Sequence, residues 1–173
     1  MNRLVIFILL LSSIHIHAQK FMANNGEISF FSEALIENIS AVNKKVSAVF
    51  DISNNDLVFQ LWIKDFTFVK ALMQEHFNEN YLESDIYPNS TFIGKVIQYK
   101  DEKAIVQGDL LIHGVTNNIR VEGIMIQDKK SIVISSEFII KLKDYNIQIP
   151  RLVMYKIAEE IEVKVNIELN AVK

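Results

Sequence analysis

The chain of 173 residues contains no cysteine. This absence excludes disulfide bonds, thiolate catalysis and the cysteine-linked lipid anchor of a lipoprotein. The chain also lacks an excess of basic charge, because 18 Lys and Arg residues face 21 Asp and Glu residues, for a formal net charge of −3. That balance argues against nucleic acid as a partner, and no basic helix predicts a peripheral membrane contact.

Recognisable catalytic motifs are missing as well. The sequence has no nucleophile elbow, no phosphate-binding loop and no H-E-x-x-H pair. Glu83 and Asp85 form a close carboxylate pair, but they lie in a polar segment that we predict to be exposed, where general acid–base chemistry is disfavoured. We therefore predict a protein that is not an enzyme and uses no cofactor, with an enzyme acting on a lipophilic substrate as the least favoured alternative.

Two histidines, His76 and His113, lie beyond the N-terminal segment. A zinc site usually needs three or four ligands, and His76 has no second histidine on its predicted helix face. We therefore predict no metal site. Instead, His76 is expected to donate a hydrogen bond to a barrel carbonyl, and His113 to make a hydrogen bond that fixes a turn before Gly114.

The N-terminus has the three parts of a secretory signal. Arg3 gives a short basic region, residues 4–11 read LVIFILLL, and Ala18 provides a small residue at the expected cleavage point. The apolar run is shorter than the roughly 20 residues that span a membrane. We predict that residues 1–18 are a signal peptide cleaved before Gln19, which makes residues 19–173 a single periplasmic or secreted domain. An uncleaved membrane anchor is the alternative.

Most of the remaining chain has the two-residue periodicity of β-strands. Residues 161–171 alternate strictly between apolar and polar side chains, and residues 57–63 place four apolar side chains on one face. Six further runs fit less cleanly, at about 27–35, 45–52, 91–100, 103–113, 118–127 and 131–142. Short polar breaks join them, which indicates antiparallel neighbours. Eight strands with short turns predict an all-β fold, a closed antiparallel barrel with one main helix.

That helix is predicted at 68–82, the one long interruption between strands. Its apolar residues are spaced to share one face, and Pro88 cannot continue a helix. We expect this face to pack on the barrel; it consists of Val69, Leu72, Met73, Phe77 and Tyr81.

Several strands carry apolar residues on both faces, which a barrel surrounded by water does not need. The residues opposite the cleaner stripes are Val58, Trp62, Ile93, Ile97, Ile105, Leu111, Ile124, Ile126, Val133 and Ile139. They predict that the helix, the irregular stretch around Pro150, or a partner subunit in a homodimer covers part of the outside. The interior is either a solid core or a dry tunnel for a long apolar chain.

Two segments carry a resemblance to a known family. Residues 72–94 read LMQEHFNENYLESDIYPNSTFIG, and residues 106–116 read VQGDLLIHGVT. Both runs resemble the signatures of the YceI-like family, while the N-terminal part, ISFFSEA at 28–34, lacks the histidine that many members have there. The resemblance implies a lipocalin-like barrel, some of whose relatives bind polyisoprenoid lipids or isoprenoid quinones in an apolar tunnel.

The resemblance therefore favours an exported protein that sequesters or carries an apolar, isoprenoid lipid in the barrel lumen. A structural or stress-response barrel with a filled core is the alternative. Large lumen side chains without a cavity would favour that alternative, and a titratable group pointing into the lumen would favour an enzyme. The predicted lumen residues are Leu57, Phe59, Leu61, Ile63, Met73, Phe77, Phe92, Val163, Val165 and Ile167.

Overall fold

The computed structural model describes residues 20–33, 38–149 and 157–172. The predicted signal peptide and Pro150 lie outside these residues. In the described part, eight long strands and one two-residue strand alternate with short helical segments. The strands are β1 (Lys20–Ser32), β2 (Ile39–Asp51), β3 (Asp56–Trp62), β4 (Thr67–Phe68), β5 (Asn89–Lys100), β6 (Lys103–Ile112), β7 (Val115–Gln127), β8 (Ser131–Lys141) and β9 (Glu160–Ala171).

The eight long strands form one closed antiparallel barrel. Their order around the sheet is β1-β9-β8-β7-β6-β5-β3-β2, and β2 pairs with β1 to complete the circle. The two-residue strand β4 adds to β2. Closure leaves the long strands without a free edge, which removes the commonest site of unwanted pairing. The predicted eight-stranded all-β barrel is confirmed, although β1 and β2 begin seven and six residues earlier than the predicted runs at about 27–35 and 45–52.

Two tight turns have the backbone that two-residue hairpins require. Asp101 and Glu102 join β5 to β6, and His113 and Gly114 join β6 to β7; all four have positive φ angles between 50° and 73°. Turns with positive φ at both central residues match the right-handed twist of the flanking strands. The register of the barrel wall is therefore set at these predicted breaks.

The lower end of the barrel, where β1 begins and β9 ends, is filled by packed side chains. The core there includes Phe21, Phe50, Ile132 and Leu169, each no more than 3% exposed. The upper end holds the long connection between β3 and β5 and the described parts, 142–149 and 157–159, of the connection between β8 and β9. The open space inside the barrel lies above this packed end, and its lining reaches down to Leu57, Ala104, Met125 and Ile134 at the top of the lower core.

The connection from β3 to β5 contains the predicted helix in two forms. A short α-helix, α1 (Ala71–His76), runs directly into a π-helical turn at Phe77–Tyr81. No helix in the described residues is long and apolar enough to cross a membrane.

The predicted apolar face of this helix is partly wrong. Val69 lies before the first helical residue and is 94% exposed, and Leu72 is 62% exposed. Met73, Phe77 and Tyr81 form the inward stripe at four-residue spacing, and each residue of a helix is rotated about 100° from the last. Leu72 is therefore turned away from the barrel.

The sequence predicts that another part of the protein covers the apolar residues on the outside of the barrel, but most of these residues are exposed. Among the described residues, large apolar side chains remain exposed on the barrel wall, including Trp62, Ile93, Ile97, Ile124, Ile126, Val133 and Ile139. The helix packs over the upper end and not against this wall. The homodimer stays a prediction.

Candidate functional site

An apolar cavity occupies the upper part of the barrel. Its volume is about 240 Å³, whereas about 10–15 Å³ is enough to admit one water molecule. Side chains from every long strand enclose it, although β2 contributes only Ile39. The helix α1 and the π turn cover part of its upper end. Cavities of this lining stay dry and take up apolar ligands.

Nine of the ten predicted lumen residues line this cavity. Ile167 is the exception, because it lies lower on β9, is only 4% exposed and packs into the filled lower core. Val163 and Val165, two and four positions earlier on the same face, do line the cavity. The other seven are Leu57, Phe59, Leu61, Ile63, Met73, Phe77 and Phe92.

A cluster of four phenylalanine rings lies between the cavity and the helical connection. Phe77 from the π turn packs on Phe30, Phe66 and Phe68, with ring centroids 5.5, 5.6 and 5.0 Å away. Only Phe77 was among the predicted site residues. For Phe66 and Phe68 the sequence does contain a signal: they flank the polar Thr67 with the two-residue spacing that puts both rings on one face.

Phe77 owes its central place in this cluster to the π turn. The amide of Leu82 donates to the carbonyl of Phe77 at 2.9 Å, a bond that spans five residues instead of four. Single π turns inside helices are frequent at functional sites. Here the wider turn presents Phe77, Tyr81 and Leu82 to the cavity together.

Few polar groups reach the cavity wall, and two of them are already hydrogen-bonded within the protein. The Ser90 hydroxyl donates to the carbonyl of Leu111 at 2.7 Å, and the Ser32 hydroxyl accepts from the amide of Ala158 at 2.9 Å. The hydroxyls of Tyr81 and Ser136 have no such partner among the described residues. They are the groups best placed to contact a polar atom of a ligand.

Burial raises the pKa of the Tyr81 hydroxyl above its ordinary value, because the charged phenolate would lose hydration there. Tyr81 therefore stays neutral and keeps its proton at physiological pH. Glu122 also borders the cavity, but it is exposed, so the Tyr81 hydroxyl is an uncharged hydrogen-bond donor at the wall. This arrangement suits an uncharged polar group on an otherwise apolar ligand.

A polar corner fixes the segment that follows the π turn. The two ring nitrogens of His113 face the Glu83 carboxylate at 2.8 Å and the Tyr145 carbonyl at 3.1 Å. Both partners are acceptors, so a ring nitrogen that carries a hydrogen can donate to the oxygen that it faces. The expected role of His113 in holding a turn thus extends to three segments of the chain.

Tyr87 completes this corner. Its ring packs edge-on against His113, with centroids 4.6 Å apart, and also lies over Gly114. A Cβ atom on Gly114 would come within 2.5 Å of the Tyr87 ring. The corner therefore fits only a glycine at this turn.

His76 does not make the predicted hydrogen bond. It is exposed at the end of α1, and no barrel carbonyl among the described residues accepts from it. The reason is the rotation of the helix, which turns Met73 and Phe77 inward and His76 outward. Within residues 20–33, 38–149 and 157–172, no three carboxylate or histidine side chains lie close enough together to hold a metal ion.

Comparison with known proteins decides the family. The model of the YceI-like domain matches residues 13–169. The chain belongs to the YceI-like family. No curated protein matches the sequence significantly.

Solved structures share the YceI-like fold at low sequence identity. BcnA of Burkholderia cenocepacia is 18% identical with a TM-score of 0.73, covering 83% of this chain and 95% of its own. A polyisoprenoid binding domain from Saccharophagus degradans is 14% identical with a TM-score of 0.74, covering 90% and 99%. A YceI protein of Campylobacter jejuni is 22% identical with a TM-score of 0.68, covering 82% and 90%.

The YceI-like signature residues occupy two places in this structure. Met73, Phe77 and Tyr81 face the cavity. Glu83 and Tyr87 meet the His-Gly turn at 113–114 in the polar corner. One half of the signature therefore shapes the cavity wall, and the other half anchors the segment that carries it.

Proposed function

We propose that this protein binds an apolar lipid with an isoprenoid chain in the barrel cavity and carries it outside the cytoplasm. The observation that carries the proposal is the cavity of about 240 Å³ lined by apolar side chains. Each Å² of apolar ligand surface that leaves water for such a wall contributes roughly 25 cal/mol. The polyisoprenoid binding domain of Saccharophagus degradans, which shares the fold, supports the ligand class.

The nature of the wall favours a neutral ligand portion inside the barrel. The cavity-lining residues of the described part include no lysine and no arginine, so a phosphate placed among them would lack a counter-charge. An ionised group in an apolar cavity without a partner is strongly disfavoured. The ligand therefore enters with its chain first, and any charged head group stays at the upper end of the barrel.

Two rival functions fit the site less well. A barrel with a filled core requires side chains where the cavity lies. An enzyme would need a group in the lumen that can exchange a proton with its substrate. Among the described residues, the paired histidine and carboxylate, His113 and Glu83, do not line the cavity, and burial raises the pKa of Tyr81, the tyrosine that does line it, so that it keeps its proton. His113 and Glu83 already serve the polar corner.

The test is mass spectrometry of organic extracts from protein that was purified without detergent. We expect a stoichiometric lipid with an isoprenoid fragmentation pattern. A protein denatured and refolded in the absence of lipid is the control and should yield an empty extract. Protein that carries no lipid, and gains none when a long-chain ubiquinone is added, would refute the proposal.

Export has its own test. If residues 1–18 are removed, the intact mass of the protein recovered outside the cytoplasm corresponds to a chain starting at Gln19 or within a residue or two. Interrupting the apolar run at 4–11 with one charged residue, for example Ile8→Lys, should trap the protein in the cytoplasm with its N-terminus intact. A recovered mass that still includes Met1 to Ala18 would indicate an anchor.

A further inference from the structure

The cavity in the upper part of the barrel is closed at its lower end. Leu57, Met125 and Ile134 line the cavity and also belong to the packed lower core. Beneath them, Ile132 and Leu169 are completely buried. We call Leu57, Met125 and Ile134 the cavity floor. A chain that enters from the upper end of the barrel must stop at the cavity floor.

Strand geometry gives the depth of the cavity. The lining extends over six residues on β8, from Ile140 to Ile134, and over six residues on β7, from Ile119 to Met125. At about 3.4 Å per residue and a strand tilt of about 40°, this distance corresponds to a depth of about 15 Å. An isoprene unit adds four chain bonds of about 1.5 Å each and is about 5 Å long when extended. The depth therefore accepts about three extended isoprene units.

The volume of the cavity gives a similar capacity. An engineered apolar cavity of about 150 Å³ in another protein holds one benzene molecule, which has six carbon atoms. In proportion, the cavity of about 240 Å³ in this barrel holds about ten carbon atoms, or two isoprene units. Depth and volume thus agree on a short segment of chain.

We propose that the cavity encloses about two to three isoprene units, or about 10–15 carbon atoms, and that the cavity floor sets this limit. The inference rests on the proposed function and adds chain length to the ligand class. A short prenyl chain is enclosed completely. A longer chain is enclosed only at its far end, and its remaining units add little affinity because they contact no wall.

Gly123 and Ser136 mark the place where this limit can be changed. They pair across β7 and β8 and line the cavity, and the next inward pair below them is Met125 with Ile134. A Cβ atom on Gly123 would come within 2.9 Å of the Ser136 Cβ atom, so the open space beside Ser136 requires glycine at 123. Ser136→Leu would extend an apolar side chain into this space and raise the cavity floor. The neighbouring Ser135 faces the outside of the barrel and provides a matched control.

The experiment measures the dissociation constants of three prenyl alcohols by calorimetric titration. Geraniol, farnesol and geranylgeraniol contain two, three and four isoprene units, and the protein is first freed of lipid by denaturation and refolding. We expect farnesol to bind about tenfold or more tightly than geraniol, because its third unit still contacts the wall. Geranylgeraniol should bind within about threefold of farnesol, because its fourth unit stays outside. A larger gain at geranylgeraniol, or equal affinities for all three alcohols, would overturn the limit.

Three variants test whether the cavity floor is what sets the limit. We expect Ser136→Leu to weaken farnesol binding about tenfold and to leave geraniol binding within about threefold of the wild type. Ser136→Ala and Ser135→Leu should bind all three alcohols like the wild type, because neither fills the lumen. An equal loss for geraniol and farnesol in Ser136→Leu would contradict a limit set at the cavity floor. A loss in Ser136→Ala as large as that in Ser136→Leu would assign the effect to the hydroxyl and also overturn the inference.

Failure of this limit and failure of the proposed function give different results. Affinity that keeps rising through geranylgeraniol would overturn the limit and leave binding in the barrel intact. No binding of any of the three alcohols, up to their solubility, would refute the cavity function and the limit together. The wild-type series decides between these outcomes even if Ser136→Leu does not fold.

Discussion

Val163, Val165 and Ile167 lie on one face of β9, but their side chains have different surroundings. Val165 lines the cavity, whereas Ile167 is packed into the lower core. A tryptophan at 165 would fill open space, so we expect Val165→Trp to abolish lipid uptake with a change in stability below about 1 kcal/mol. Lipid extraction and thermal unfolding measure the two effects.

Ile167→Trp is the matched control, because it adds a similar volume two residues away. At that position the side chain meets a filled core, and overpacking should destabilise the protein by about 1–3 kcal/mol. Similar destabilisation by both variants would mean that the barrel is equally filled at both levels. The cavity would then have no functional meaning.

Gly114 shows how one residue without a side chain holds the polar corner. Its φ angle is 73°, and a Cβ would come within 2.5 Å of the Tyr87 ring. We expect Gly114→Ala to lower the free energy of unfolding by about 1–3 kcal/mol, through backbone strain and the displaced ring. Thr116→Ala, at an exposed position of the same hairpin, should cost less than about 1 kcal/mol. Equal losses in denaturant unfolding would contradict the tight fit.

At the level of single residues, the sequence was informative where one periodicity controlled one face. The alternation in β3 and β9 was enough to select cavity residues such as Leu61 and Val163. It does not show how deep the cavity reaches, so it places Ile167 in the lumen, although that residue is packed beneath the cavity. Depth depends on which side chains meet across the barrel, and that is a property of the closed sheet.

Among the elements, the helical connection has one packed face and one exposed face. Substituting an aspartate on each face should show the difference between them in stability. Phe77 is packed among three phenylalanine rings, whereas Leu72 is exposed. We expect Phe77→Asp to destabilise the protein by about 2–4 kcal/mol, since a carboxylate would replace ring contacts without gaining a partner. Thermal unfolding provides the measurement.

Leu72→Asp is its control on the same helix. An exposed substitution should change stability by no more than about 0.5 kcal/mol. If both variants melt like the wild type, the connection does not pack on the barrel in solution. If both are strongly destabilised, the outward face of α1 is covered in a way that the structure does not show.

The strands could be predicted from sequence more closely than this connection. Polar breaks such as Asp101-Glu102 divide period-two runs, and the hairpins form at those breaks. The predicted helix includes Val69, which lies before the first residue of α1, because apolar spacing alone does not indicate where a helix begins. The π turn was unpredictable from spacing, because tertiary packing of Phe77 among the other rings favours it.

For the whole molecule, composition could not distinguish a tunnel from a solid core. Both need a chain rich in isoleucine, valine, leucine and phenylalanine, and both give the same closed antiparallel barrel. The difference is the space that remains when eight strands close. This chain fills the lower end with residues such as Phe21 and Leu169 and leaves the upper part open.

A bound lipid should therefore stabilise the entire barrel, because it occupies space that only the folded state encloses. At a ligand concentration about 100 times the dissociation constant, binding stabilises the folded state by about 2.7 kcal/mol. For a domain of this size, each kcal/mol corresponds to a change of about 2–4 °C in melting temperature. We therefore expect removal of the lipid to lower the melting temperature by roughly 5–10 °C, and re-addition of a long-chain ubiquinone to restore it. The Val165→Trp variant is the control, because its cavity is filled and its melting temperature should not respond to either treatment. A wild type that melts at the same temperature with and without lipid would show that the ligand binds outside the barrel or not at all.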